Sequence, residues 1–483
     1  MGTQMDFKAV IDGESCAATA GRWIEMLAPA TGEPFARVPR GDAADVGRAV
    51  VAARRALESD PWAGMPAVER GRILSRLGQL ILEQADELAA LESRDTGKPL
   101  RQGRADIAAA ARYFEFYGGA ADKVAGETIP VQSGFLAMTL REPHGVVGSI
   151  VPWNYPAQIM ARVAGAALAM GNTLVMKPAE AACLSVLKIA ELALEAGLPA
   201  GVWNVVPGYG EEAGAALANH PGLDFLTFTG SPEVGTLIQT AAAKNRIGCT
   251  LELGGKSPQI LFADADFEAA LPVVVNAIVQ NCGQTCSAGS RLLVEASAFD
   301  RVAEALRQRF RGLVAGPHDR DLDLGPLISA DQAQRVAAFV AEAREAGIPL
   351  IGEGTIMPDS PPGGFYQPAR VFGPVPAEAR LAREEVFGPV LAITPFRDEA
   401  EAIALANGTD YGLVAGVWSR DGARCLRVAR AVRAGQVFVN GYGAGGGVEL
   451  PFGGVKKSGH GREKGFEALR EFSVIKTVVV NHG

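Results

Sequence analysis

Between residues 146 and 254, short apolar runs alternate with stretches whose apolar positions recur every three or four residues. The runs VVGSIV, NTLVM, VWNVV, DFLTF and TLEL read as strands, with helices starting near Pro156, Cys183, Glu211 and Glu233. Such alternation predicts a parallel sheet covered by helices, with ligands beyond the carboxyl ends of its strands. A second α/β pattern begins after Ser257, with strands at 290–294, 390–394, 413–418 and 436–439. Its helices fall at 267–280, 299–312, 331–346, 398–406 and 422–431. Ahead of both, 45–57 and 67–92 carry helical spacing, LESRDTGKPL at 91–100 ends a helix, and another helix covers 103–117. Its Tyr113, Phe114, Phe116 and Tyr117 read as packing residues. Residues 1–40, with Pro29, Thr31, Gly32 and Pro34 among short alternations, predict a small hairpin. Two strand-like segments, 127–141 and FSVIKTVVV at 472–480, stand apart from either pattern and need a sheet to join.

At 483 residues, 48% hydrophobic and 21% charged, the chain has the composition of a globular protein of two or three domains. A net charge of −8 argues against nucleic acid or an anionic membrane as the main partner. The start, MGTQMDFKAVIDGES, lacks the profile of a secretion signal, and Asp6 stands where a myristoylation motif wants Ser or Thr. Pro152, Asn154 and Pro156 interrupt the longest weakly charged region, 146–161, so no membrane span is expected. Six cysteines show neither metal-ligand spacing nor disulfide-scaffold density, which makes cytoplasm the default and no metal the expectation. Five histidines, none in an HxxxH arrangement, give little support to a zinc site or a histidine triad.

The stretch NCGQTCSAGSR, 281–291, follows the apolar run that ends near Gln280 and sets Cys286 among small and polar residues. A thiol serves catalysis when it is reachable and can become a thiolate. Gly283, Ser287, Ala288 and Gly289 are expected to leave a substrate room beside it. Upstream, LELGGKSP carries Glu252 in an apolar strand-like run, where a lone carboxylate is costly to bury without a task or a partner. The boundary between the two α/β patterns, 254–257, falls between Glu252 and Cys286, which points to a site in an inter-domain cleft. VPWNYP places Asn154 between a strand and a helix. There it is a good N-cap, and equally an amide able to donate to an oxyanion on a carbon attached to Cys286. FTGSPEVG sets Gly230 and Gly235 around a helix start that suits a phosphate. MKPAE sets Lys177 and Glu180 just past a strand. A functionless glycine turn and a solvated ion pair are the plainer readings of those two.

These stretches, with EEVFGPV and PFGGVKKSGHGRE at 451–463, resemble the aldehyde dehydrogenase superfamily over essentially the whole chain. The resemblance implies a Rossmann-like parallel-sheet NAD-binding domain (1–123 and 144–254) and a second α/β catalytic domain (255–469). It also implies a β oligomerisation arm (124–143 and 470–483), and so a homodimer or homotetramer. Cys286 becomes the nucleophile, Glu252 the base that activates water, and Asn154 with the Cys286 N–H the holder of the oxyanion. The reaction implied is oxidation of a small aldehyde to its acid through a thiohemiacetal and a thioester. The implied dinucleotide sites are Gly230, Ser231 and Gly235 at the pyrophosphate, Lys177 and Glu180 at the adenosine ribose, and Glu385 and Phe387 at the nicotinamide end. Ile150, Pro152, Trp153, Gly210 and Leu253 complete that set. A carboxylate at Glu180 accepts from a free 2′-OH and repels a 2′-phosphate, which favours NAD over NADP. Cys282 does not match the family's nucleophile and reads as a bystander, and Cys16, Cys183, Cys249 and Cys425 as core or surface residues.

Helical spacing from Pro156 aligns Tyr155, Ile159 and Arg162 on one face, which the resemblance makes a wall of the substrate tunnel along with Gln280 and Phe452. Arg162 could pair with the carboxylate or polar tail of a semialdehyde or hydroxyaldehyde, or serve as a structural ion-pair residue. Family members acting on succinate semialdehyde or lactaldehyde carry arginine there, as do some acting on aromatic aldehydes. Gln280 stands where the first of these tend to have a second arginine. Betaine-aldehyde enzymes place tryptophan at the positions of Arg162, Gln280 and Phe452, so a cationic substrate is disfavoured. Aromatic or aliphatic aldehydes are the alternative within the class. Outside it, a cysteine hydrolase would need a base such as histidine beside Cys286 and leaves the dinucleotide-like positions unexplained. A binding protein without catalysis fits poorly with Cys286, Glu252 and Asn154 together, and CoA-acylating relatives commonly lack the glutamate.

Overall fold

The computed structural model describes residues 5–443 and 447–483, so the stretch read for a leader signal lies partly outside it. The five apolar runs of the first half form the strands Val146–Val151, Thr173–Pro178, Trp203–Val205, Phe225–Thr229 and Gly248–Glu252. They pair in parallel, with Val146–Val151 between Thr173–Pro178 and Phe225–Thr229. Their side chains are almost all buried, which is why they read as continuous apolar runs and not as alternations. From Val146–Val151 the chain lays strands outward in one direction, then returns to Phe225–Thr229 and builds in the other. That reversal opens a crevice at the carboxyl ends of these two strands, where Pro152–Asn154 and Gly230–Ser231 begin.

Antiparallel edges complete the sheet. The hairpin Ala9–Ile11 and Glu14–Cys16 lies beside Trp203–Val205. At the other edge Leu251 pairs with His460 and Glu252 with Gly459, so a segment from near the chain's end crosses the division expected at 254. The second sheet runs Leu350–Glu353, Arg370–Phe372, Val390–Phe396, Arg291–Glu295, Pro258–Leu261, Val414–Trp418, Gln436–Val439, with only the first strand antiparallel among those described. Pro258–Leu261 lies well inside this sheet yet is missing from the sequence-based expectations. It is short and opens with a proline, a residue a strand tolerates at its first position.

The single helix expected over 67–92 is two, Ala67–Glu83 and Ala85–Thr96. They part at Gln84, whose N–H bonds back to the preceding turn. The helix expected from Glu211 is one wide π turn, Gly210–Gly214, followed by the short Ala215–Ala218. Trp23–Ala28 and Glu33–Pro39 form the hairpin expected near the N-terminus. The two isolated β segments find each other: Phe135–Pro143 and Ser473–Asn481 pair antiparallel along their full length. Leu136, Leu140, Ile475, Val479 and Val480 lie exposed on them. Among the described residues no helix is long and apolar enough to cross a membrane.

Candidate active site

The helix Phe267–Val279 leads into a sharp corner where Asn281, Cys282 and Gly283 take positive φ in succession (47°, 54°, 73°). Side chains hold this corner. Asn281 Nδ2 donates to the Asn154 carbonyl (2.8 Å), Gln284 Nε2 to the Asn281 carbonyl (3.1 Å), and Gln284 Oε1 accepts from Ile328 N (2.9 Å). The glycines expected to give a substrate room serve backbone packing instead. A side chain at Gly283 would come within 2.2 Å of the Gly388 carbonyl, and one at Gly289 within 2.5 Å of Gln259 Nε2. Cys286 itself is half-buried against Leu413, Val414 and Phe452. Burial pushes its thiol up to about 12, while the charge of Arg162 pulls the other way. Cys282 is sealed in the core of the second half, and burial drives its thiol still higher.

Asn154 is buried, and its side chain does not cap the helix Pro156–Ala169. Its Nδ2 donates to the carbonyl of Gln284 (3.0 Å), two residues before Cys286, which leaves the second amide hydrogen for another acceptor. Its own carbonyl accepts from Lys98 Nζ (3.0 Å), a buried ammonium that also meets Glu92 (3.3 Å) and Asp106 and lies over the Tyr155 ring. Nothing in the sequence marked Lys98, Glu92 or Asp106 as supports of this amide.

Glu252 ends the strand Gly248–Glu252, only 2% exposed, and neither carboxyl oxygen has a hydrogen-bond partner among the described residues. Burial, and then the nearby Glu463, raise its pKa well above the ordinary carboxylate range. The following glycines admit close neighbours. A side chain at Gly254 would come within 2.2 Å of Glu385 Oε2, and one at Gly255 within 2.5 Å of the Cys286 carbonyl oxygen. Glu385 Oε1 accepts from Gly255 N (3.0 Å), and burial raises this carboxyl to about 7. Lys256, next along, has no partner for its buried Nζ among the described residues, and burial lowers it to about 7.

A cavity of about 750 Å³ opens beside Cys286, and the expected Tyr155, Arg162, Gln280 and Phe452 all line it. Arg162 is buried, ion-paired with Glu463 and 5.3 Å from the centre of the Phe452 ring. Glu463 is brought there by the returning segment, where Phe452 and Glu463 exchange backbone hydrogen bonds of 2.6 and 2.7 Å. Glu463 and Lys464 are functional candidates that the sequence reading missed, although the motif at 451–463 pointed to their neighbourhood.

On the crevice side, Lys177 lies on the strand Thr173–Pro178 and not past it as expected, and its Nζ meets Glu180, two residues beyond the strand, at 2.8 Å. Ser231 caps Pro232–Asn245, its Oγ accepting from Val234 N (3.3 Å). Gly230 and Gly235 permit packing, since side chains there would come within 2.3 Å of the Phe228 ring and 2.7 Å of Leu253. Gly210 opens the π turn with open space beside it. Ile150 lies on the strand leading to Pro152, and Trp153 meets Phe387 edge-on at 5.4 Å. Among the described residues no group of three or more His, Cys, Asp or Glu is placed to hold a metal ion.

A strand-order reversal of this kind is where parallel sheets of the Rossmann-like class bind their ligands, and here the crevice opens toward a cysteine loop and a buried glutamate. Residues 16–478 match the aldehyde dehydrogenase family, and the chain belongs to it as an oxidoreductase acting on aldehydes. It is 42% identical to a hydroxyisobutyraldehyde dehydrogenase of Mycolicibacterium austroafricanum, over 98% of this chain and 93% of that one. It is also 42% identical to the NADP/NAD-dependent aldehyde dehydrogenase PuuC of Escherichia coli, over 98% and 95%. Among solved structures, the NAD+ complex of a Bacillus cereus aldehyde dehydrogenase superposes with a TM-score of 0.96 at 40% identity, covering 99% of this chain and 97% of that one.

Proposed function

We propose that the chain oxidises a semialdehyde or hydroxyaldehyde to its acid with NAD as acceptor, using Cys286 as nucleophile, Asn154 as oxyanion donor and Glu252 as base. The observation that carries this reading is the bond from Asn154 to the Cys286 loop, together with a buried Glu252 whose carboxyl oxygens have no hydrogen-bond partner among the described residues. The residues along the crevice fit a dinucleotide. Glu180 and Glu385 offer carboxylate oxygens to ribose hydroxyls, Lys177 is a donor steadied by Glu180, and the start of Pro232–Asn245 offers backbone N–H groups to a pyrophosphate. The carboxylate at Glu180 supports NAD over NADP. Bound there, the nicotinamide supplies the acceptor for two electrons and the hydrogen of the reacting carbon.

Cys286 thiolate forms a C–S bond to the aldehyde carbon, and the carbonyl oxygen becomes an oxyanion. The free amide hydrogen of Asn154 and the Cys286 N–H hold that oxygen, a pair of donors worth roughly 10²–10³ in rate for each one lost. After oxidation the carbon stays on Cys286 as a thioester. Glu252, as carboxylate, takes a proton from water, the water oxygen attacks the thioester carbon, and the C–S bond breaks to release the acid and restore the thiolate. The hydroxyisobutyraldehyde dehydrogenase relative supports a polar-tailed substrate. The exposed apolar residues of Ser473–Asn481 support a dimer or tetramer joined through the arm.

NADH formation over a panel of semialdehydes, hydroxyaldehydes, aromatic and aliphatic aldehydes tests the reading, with wild type beside Cys286→Ala. Turnover by wild type and background by the variant is the expected result. No oxidation of any aldehyde by wild type with either dinucleotide, or undiminished turnover in Cys286→Ala, would overturn it.

A further inference from the structure

The cavity beside Cys286 is walled by four cations, Arg101, Arg112, Arg162 and Lys464. Three of them are matched: Arg101 by Asp321 (3.7 Å), Arg112 by Glu449 (2.7 Å) and Arg162 by Glu463. Lys464 has neither an ion pair nor a side-chain hydrogen bond among the described residues, although it is only 6% exposed. Its ammonium lies 5.1 Å from the centre of the Phe452 ring and 5.9 Å from that of Tyr113, contacts that steady a cation without neutralising it. The adjacent carboxylate, Glu463, is taken by Arg162. The backbone at Lys464 has φ +64°, where glycine would be the unstrained residue, yet the fold carries a long charged side chain there. Burial, and next the charge of Arg162, lower this lysine to about 8. An anion entering the cavity would supply what the wall lacks.

We propose that Lys464 binds a carboxylate at the far end of the substrate, so that the preferred aldehydes are carboxylate-bearing semialdehydes held between Cys286 and Lys464. The proposal rests on the Cys286 chemistry above and sets Lys464 in the role for which the sequence offered Arg162. Arg162, committed to Glu463, is then a positioning residue that keeps that carboxylate from neutralising Lys464.

The test compares kcat/KM for glutaric and adipic semialdehydes with that for pentanal and hexanal, in wild type, Lys464→Met and Lys464→Arg. Methionine keeps the bulk beside the two rings and shares the backbone strain, so the comparison isolates the charge. Wild type should favour the semialdehydes by roughly 10- to 100-fold, expressed in KM, in line with a hydrogen bond to a charged group. The ratio should collapse in Lys464→Met and persist in Lys464→Arg. A ratio that survives Lys464→Met, or wild type that oxidises pentanal as well as its semialdehyde, would overturn the assignment and leave the Cys286 chemistry standing. If no aldehyde is oxidised, that chemistry fails, and Lys464 is read by protection of Cys286 from iodoacetamide by glutarate. Protection in wild type that is absent in Lys464→Met supports the anion site, and no protection in wild type overturns it.

Discussion

Two buried clusters of charge serve the same site and are built on opposite rules. Around Lys98 every charge is met: the ammonium touches Glu92, Asp106 and the Asn154 carbonyl, Ser185 donates to Glu92, and Gln158 donates to Asp106 (2.7 Å). Around Glu252 the matching is incomplete. Among the described residues its two oxygens have no hydrogen-bond partner, Arg162 and Glu463 share one ion pair and leave other buried polar atoms unmatched, and Lys464 has no ion pair. A satisfied polar network fixes geometry, and a half-satisfied one costs stability. The first cluster therefore works as scaffold, holding Asn154 and through it the loop of Cys286. On the proposed reading, the second keeps its groups available for water and substrate. A buried charge by itself marks neither role; its partners decide.

That contrast can be broken most sharply at Lys98. Lys98→Met strands two buried carboxylates, and unfolding in denaturant should show a loss of about 3–5 kcal/mol. A variant as stable as wild type would remove the scaffold from the comparison. Glu252→Gln should do the reverse, lowering turnover roughly 10²–10⁴-fold with an acyl-enzyme visible by mass spectrometry, at no loss of stability. The pH dependence follows from the direction of its shift. The folded pKa lies above the unfolded one, so the carboxyl's contribution to stability is present below the unfolded pKa and is lost as pH rises through the folded value. As pH rises between those two values, wild type should thus lose stability relative to Glu252→Gln while its own thioester hydrolysis accelerates. Unfolding midpoints and NADH rates along one pH series check both trends, and parallel stability curves would disconnect Glu252 from the titration. The smallest effect is expected at Cys282. Cys282→Ala should cost about 1 kcal/mol as a core truncation and leave turnover near wild type. A loss approaching that of Cys286→Ala would reassign the nucleophile.

The parts of the molecule open to sequence reading are those whose signal is local. VVGSIV and its companions are apolar because both faces of their sheet are covered, and Cys286 stands out because thiol, small residues and a preceding helix fall within one short stretch. The break at Gln84 is invisible because no glycine or proline marks it and apolar spacing continues across it. Pro258–Leu261 hides behind its first proline. The pairing of Arg162 with Glu463 joins residues distant in sequence, and only the folded chain brings them together. So does the meeting of Lys98 with Asn154. The glycines of LELGGKSP gain their meaning from Glu385 and Cys286, which arrive later in the chain.

The pairing of Gly459–His460 with Gly248–Glu252 also bears on how the molecule is made. Synthesis proceeds from the amino end, so the strand carrying Glu252 leaves the ribosome long before its outer neighbour exists. Until residues 459–460 emerge, the strand keeps an open row of backbone donors and acceptors, the kind of edge that pairs with other chains. Nascent and prematurely terminated chains share that exposure. Arrival of residues 459–460 encloses the glutamate and covers the edge of the sheet at Leu251 and Glu252.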